Sequence, residues 1–107
     1  MRFLKDYQNR NVRLTEERLV HILDHPEMAE LEEAIEKTLS KPQLVVRSTT
    51  DTEAALSYQF YFGTRVGNKW LCVVVKYKMD DAFVLTAYLT DKPKKGEQIW
   101  PLITPTE

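Results

Sequence analysis

The residues of this chain best suited to acid–base and phosphate chemistry are His21 and His25, four positions apart, with Arg47, Lys76 and Thr86 further along. Either histidine suits general acid–base work, because imidazole titrates near neutral pH. On a continuous helix the pair would share a face. A zinc site fits them less well. No glutamate stands between them in an HExxH arrangement, no third ligand is evident, and the chain has one cysteine, Cys72. A histidine on a helix surface or at a cap is the commoner outcome for such positions. Arg47 and Lys76 could neutralise a phosphate and stabilise charge developing at phosphorus. Tyr61 and Tyr88 could stack on unpaired bases, with Gln59 beside them as a hydrogen-bonding group. The strands that carry these residues hold no carboxylate before their ends, a poor set for Mg²⁺. The chemistry expected is metal-free, with no cofactor. Cys72 sits mid-strand among valines and reads as a small hydrophobe rather than a nucleophile.

The elements that must position these residues follow from pattern. Thr15 followed by Glu16 and Glu17 marks a helix start, with Leu19, Ile22 and Leu23 as its apolar stripe. Pro26 ends that helix and opens a second over Pro26–Ser40, whose Met28, Leu31, Ile35 and Leu39 should be buried. From Pro42 the period becomes two, predicting strands at Gln43–Thr49, Ala55–Phe62, Lys69–Lys78 and Ala82–Thr90 joined by short turns. Residues 2–11 are either an arm on the body or a short edge strand ending near Val12–Leu14. The expected fold is α+β, two N-terminal helices packed on a four-stranded antiparallel meander, as one domain with its core over about residues 12–100.

Alternation puts Val46, Tyr58, Phe60, Phe62, Leu71, Val73, Val75, Phe83 and Leu85 toward the helices. Arg47, Gln59, Tyr61, Val74, Lys76, Thr86 and Tyr88 then fall on the open face, in a row Arg47–Gln59–Val74–Thr86 flanked by Lys76 and the tyrosines. Such a face is either a site or the wet side that antiparallel sheets routinely leave.

At 107 residues and net charge −1 the chain is not a basic nucleic-acid coat. Its charge is uneven: residues 1–40 carry −3, residues 41–95 carry +4 and residues 96–107 carry −2. A basic sheet half could accept a polyanion, or the second helix simply has a solvated acidic face. No basic segment with an apolar stretch opens the chain, and its longest apolar run, Trp70–Val75, is too short to span a membrane. A cytoplasmic setting without membrane contact is expected.

The phrases RLTEERLVHILDHPEM, KPQLVVRS, WLCVVVKYK and AFVLTAYLTDKPKKGEQIW together resemble the second group of phage-borne nuclease-like domains related to barnase, EndoU, colicins E5 and D, and RelE. The resemblance covers roughly residues 12–100. It implies a metal-independent endoribonuclease of toxin type acting on RNA, with tRNA or mRNA as candidate substrates and a cognate antitoxin or immunity protein as partner. It also implies roles: His21 (or His25) as base or acid, Arg47 and Lys76 as charge stabilisers, and Thr86 and Tyr88 as the polar residues of the last strand. Two other classes compete. One is a non-catalytic protein- or nucleic-acid-binding module that kept the fold and lost the chemistry. The other is a small-ligand enzyme unrelated to RNA.

Overall fold

The computed structural model describes residues 1–102. Its elements in chain order are β1 (Arg2–Lys5), β2 (Asn11–Leu14), α1 (Glu16–Leu23), a 3-10 turn (Pro26–Met28), α2 (Glu32–Ser40), β3 (Leu44–Arg47), β4 (Ala54–Thr64), β5 (Gly67–Lys78), β6 (Asp81–Thr90) and β7 (Gln98–Trp100). The strands form one seven-stranded sheet in the order β1-β2-β6-β5-β4-β3-β7. This corrects the expected four-stranded meander. The four predicted strands are consecutive antiparallel neighbours at the centre, but the sheet is extended on both edges and is mixed, because β2 pairs parallel to β6. The α+β character stands.

The first extension is built by Asp6. Its buried carboxylate accepts hydrogen bonds from the Gln8 and Arg10 amides at 2.9 and 2.8 Å, from Arg10 Nε at 2.8 Å and from the Tyr77 hydroxyl at 2.7 Å. A buried carboxylate is tolerated only when so satisfied. Asn9 supplies the left-handed turn residue at φ 63°, a conformation asparagine adopts more readily than most. Residues 2–14 therefore close as a hairpin pinned to β5, and Arg13 ties it to β6 through Asp81 at 2.7 Å. On the other edge β7 pairs with β3.

Thr15 caps α1 by accepting from the Arg18 amide at 3.1 Å, as its position predicts. The second helix is shorter than expected. Pro26 opens only a single 3-10 turn, and α2 begins at Glu32. Leu19, Ile22, Met28, Ile35 and Leu39 bury against Leu71, Val73, Val75, Val84 and Ala87, which gives the main core.

The face assignments of β4, of Val46 in β3 and of the first half of β6 are inverted relative to expectation. Val46 and Leu85 line the open face, Phe83 pairs with Lys76, and Val84 takes the place in the main core. Tyr58 pairs with Cys72 and Leu56 with Val74, so Leu56, Tyr58, Phe60 and Phe62 lie on the face away from the helices. Beneath the helices β4 presents Ala55, Ser57, Gln59 and Tyr61. Ser57 is fully enclosed there, and the Tyr61 hydroxyl reaches the α2 backbone at Ala34. Leu56 and Tyr58 bury instead against Cys72, Val46 and Trp70 on the open face, a second apolar cluster, while Phe60 is half-buried and Phe62 exposed beyond it. Among the described residues no helix is long and apolar enough to cross a membrane.

Candidate functional site

The open face is cut by a cleft of about 400 Å³. Its floor is one cross-strand row, Val46–Leu56–Val74–Thr86, taken in order from β3, β4, β5 and β6. The pairing of β5 with β6 shifts between Val74 and Val75, so Leu85 is the extra residue and joins Thr86 in the cleft wall. One rim is the β3–β4 loop, where Ser48, Thr49, Thr50 and Asp51 line the opening. Ser48 Oγ holds that turn by accepting from the Thr50 and Asp51 amides at 3.3 and 3.2 Å. The other rim is Tyr88 with Lys94 and Lys95, carried on the segment that follows β6.

Gly96 anchors that segment. A Cβ built there would lie 2.6 Å from Val46 Cγ1 and 2.7 Å from the Arg47 carbonyl oxygen, so only glycine lets the chain press against β3. The Lys94 amide donates to the Tyr58 hydroxyl at 3.0 Å, and the Lys94 ammonium stands 5.9 Å from the Tyr88 ring centroid. Among the described residues neither Lys94 nor Lys95 forms an ion pair, and both are exposed.

The expected cations are placed differently. Arg47 lies at the cleft edge, opposite Ala55 in register. Its Nε donates to Glu97 at 3.0 Å and its Nη1 to the Thr52 carbonyl at 3.2 Å. Lys76 lies behind the rim, donating to Asp51 at 2.5 Å with Glu53 at 3.4 Å. The hydrogen bond from Lys76 holds the Asp51 carboxyl below the usual carboxylate range and, reciprocally, raises Lys76. Both expected charge stabilisers are thus already engaged by carboxylates supplied from loops.

Thr86 and Tyr88 are in the cleft as expected. Gln59 and Tyr61 are not. Both face the helices, where the Tyr61 hydroxyl donates to the Ala34 carbonyl at 3.2 Å and lies 3.3 Å from Thr38 Oγ1. His21 is exposed on α1 in a shallow depression with Thr15, Glu17 and Arg18, and none of these residues lines the cleft. His25 is 6.2 Å from it, ring to ring, and 3.8 Å from Glu27. The structure therefore brings together Arg47, Thr86 and Tyr88, with Lys76 adjoining through Asp51. It leaves His21, Gln59 and Tyr61 elsewhere.

Sequence reasoning missed Lys94 and Lys95 and the hydroxyl loop Ser48–Thr50. The signal was present in the run KPKKG, a dense basic cluster directly after the last long strand. Beneath Tyr88, burial pushes the Cys72 thiol up to about 11 and the Tyr58 hydroxyl up to about 12, so both are neutral groups and Cys72 is no nucleophile.

No family model, curated protein or solved structure matches the chain.

Proposed function

We propose that the chain is a metal-independent endoribonuclease of toxin type, with the cleft on the open face as its site. The observation that carries this reading is the pair Lys94 and Lys95, free of carboxylate partners among the described residues and poised over a hydroxyl-lined cleft. That combination suits a phosphodiester: cations for the non-bridging oxygens, and Thr86, Ser48 and Thr50 as hydrogen-bond donors. The reaction fitted to it is attack by an RNA 2′-hydroxyl on the adjacent phosphorus. The 2′-oxygen–phosphorus bond forms and the phosphorus–5′-oxygen bond breaks, leaving a 2′,3′-cyclic phosphate and a 5′-hydroxyl. Both oxygens of Asp51, the carboxylate lining the cleft, are engaged, by Lys76 and by the Glu53 amide, so the 2′ proton passes to water and a lysine ammonium supplies the proton to the departing 5′-oxygen. This assignment replaces the histidine that the family resemblance implies. The toxin character and the cognate antitoxin or immunity protein rest on that resemblance.

A second reading, a binding module without catalysis, is favoured by the engagement of Arg47 with Glu97 and of Lys76 with Asp51. Incubation with single-stranded RNA and tRNA in the presence of a chelator decides between them. Cleavage to 2′,3′-cyclic ends, abolished by 2′-deoxy substitution and slowed about 10²-fold or more in the Lys94→Ala/Lys95→Ala variant, supports the nuclease. RNA binding without cleavage supports the module.

A further inference from the structure

Four residues along β4 from the cleft floor, the open face ends in an aromatic ledge. Phe60 pairs in register with Trp70, which pairs with Thr90. The Phe60 ring meets those of Phe62 and Trp70 edge-on at 5.0 and 5.3 Å. Phe62 is 79% exposed, and no described element covers it. At about 3.3 Å per residue the ledge lies roughly 13 Å from Leu56 on the cleft floor. The segment after β6 bridges that gap; it opens on Asp91, which is paired with Lys69, and then carries three lysines before Glu97, which is paired with Arg47. Lys92 is two residues after Thr90, whose hydroxyl donates to the Lys92 carbonyl at 3.2 Å. Lys94 sits at Tyr58 and Tyr88, and Lys95 reaches the cleft. Among the described residues none of these three lysines forms an ion pair.

We propose that the ledge and the lysine track form a single-strand subsite, in which bases stack on Phe62, Phe60 and Trp70 while the phosphates run along Lys92, Lys94 and Lys95 into the cleft. It rests on the nuclease reading for the cleft and adds a substrate class: unpaired strands, bound without base-specific contacts. Two features argue for nucleic acid over a protein partner. A row of unpaired cations beside one exposed ring and two half-buried ones matches alternating phosphates and bases, and it is continuous with the phosphate cleft. A duplex hides its base faces and cannot use the ledge.

The test uses the intact chain and a labelled octathymidylate, which lacks the 2′-hydroxyl and so cannot be cut by the proposed reaction. Binding is followed by fluorescence anisotropy at low salt. Phe62→Ala should weaken it roughly tenfold or more, Phe62→Tyr should restore it, and a DNA duplex of the same length should bind more weakly. An abasic position that costs the same factor in the wild type and nothing in Phe62→Ala would locate the stacked base. Equal affinity of wild type and Phe62→Ala, or preference for duplex, overturns the subsite even if RNA is cleaved. Ledge-dependent binding with no RNA cleavage supports the subsite and overturns the nuclease reading instead. No binding at all, with self-association that Phe62→Ala abolishes, overturns it and assigns the ledge to a protein contact.

Discussion

Gly96→Ala should both destabilise the fold and disable the cleft, and its size can be worked from two distances. The new methyl would stand 2.6 Å from Val46 Cγ1 and 2.7 Å from the Arg47 carbonyl oxygen, closer than real Cβ contacts. Val46 is buried and β-branched, so it has little freedom to turn away. Moving the Gly96 segment until the second contact reaches 3.4 Å needs about 0.7 Å, which stretches the Arg47 N–H to Glu97 carbonyl bond from 2.8 Å toward 3.5 Å. Overpacking of this kind costs about 1–3 kcal/mol, and losing the hydrogen bond adds about 1 kcal/mol. The expected loss is about 2–4 kcal/mol by urea denaturation, or roughly 10 °C or more in Tm for a domain of this size. Hydrogen exchange should show the Arg47 amide losing protection first, and octathymidylate affinity should fall with the displaced lysines. Adding Val46→Ala should recover only part, because the carbonyl contact remains. A loss below about 0.5 kcal/mol with the Arg47 amide still protected would refute the argument that glycine is required for this approach.

The remaining predictions concern core, charge and pH. Ile35→Ala should cost about 2–5 kcal/mol, since the side chain is fully enclosed against β5; a smaller loss in calorimetry would mean that α2 is not seated as described. His21→Ala should leave both stability and any RNA cleavage unchanged, and a loss of rate above tenfold would return the histidine to the site. Lys94→Ala/Lys95→Ala should flatten the slope of log affinity against log salt by about 1.4 for a single strand, and an unchanged slope would remove these lysines from the phosphate path. Raising the pH should destabilise the fold. Burial lifts Cys72 to about 11 from 9.0 and Tyr58 to about 12 from 10.0, so the folded state keeps protons that the unfolded chain has lost, and stability falls from about pH 9 upward. Urea midpoints that stay constant from neutral pH to about pH 11 would contradict that burial.

The two kinds of sequence signal behaved differently. Most local signals held: the Thr15 cap, the helix end before Pro26 and the four central strands all have short-range causes and stand near their expected places, whereas Pro26, expected to open the second helix, opens only a 3-10 turn. The larger departures were non-local. The hairpin of residues 2–14 is closed by one buried carboxylate, Asp6, whose decisive partner Tyr77 is 71 positions away. Strand β7 is three residues long and exists because Gly96 lets the chain lie against β3. Neither has a periodicity to read. The face error in β4 has one further cause. Hydrophobicity alone points Tyr58, Phe60 and Phe62 inward, but the register with β5 sets Tyr58 opposite Cys72 and Phe60 opposite Trp70 on the open face. It leaves Ser57 and Tyr61 toward α2, where the Tyr61 hydroxyl bonds the Ala34 carbonyl.

The same distinction explains the candidate site. Residue type identified Arg47 and Lys76 as cations suited to phosphate, but not whether their charges would stay available. Asp51 and Glu53 lie in the β3–β4 loop and Glu97 just before β7, so the pairing depends on loop closure. Lys94 and Lys95 escape it through their own local geometry. The Tyr58 hydroxyl and the tight approach of Gly96 to β3 hold the segment between them against the sheet, with no carboxylate of the described residues beside either ammonium. A cation that is backbone-anchored and unpaired is a better candidate for binding a polyanion than one already satisfied, because binding there breaks no existing ion pair. That comparison moves the centre of the proposed chemistry from the strands to the segment after β6. It also makes the variants separable. Arg47→Ala should loosen the β3–β4 loop and β7, whereas Lys94→Ala/Lys95→Ala should weaken nucleic-acid binding and leave the urea midpoint in place.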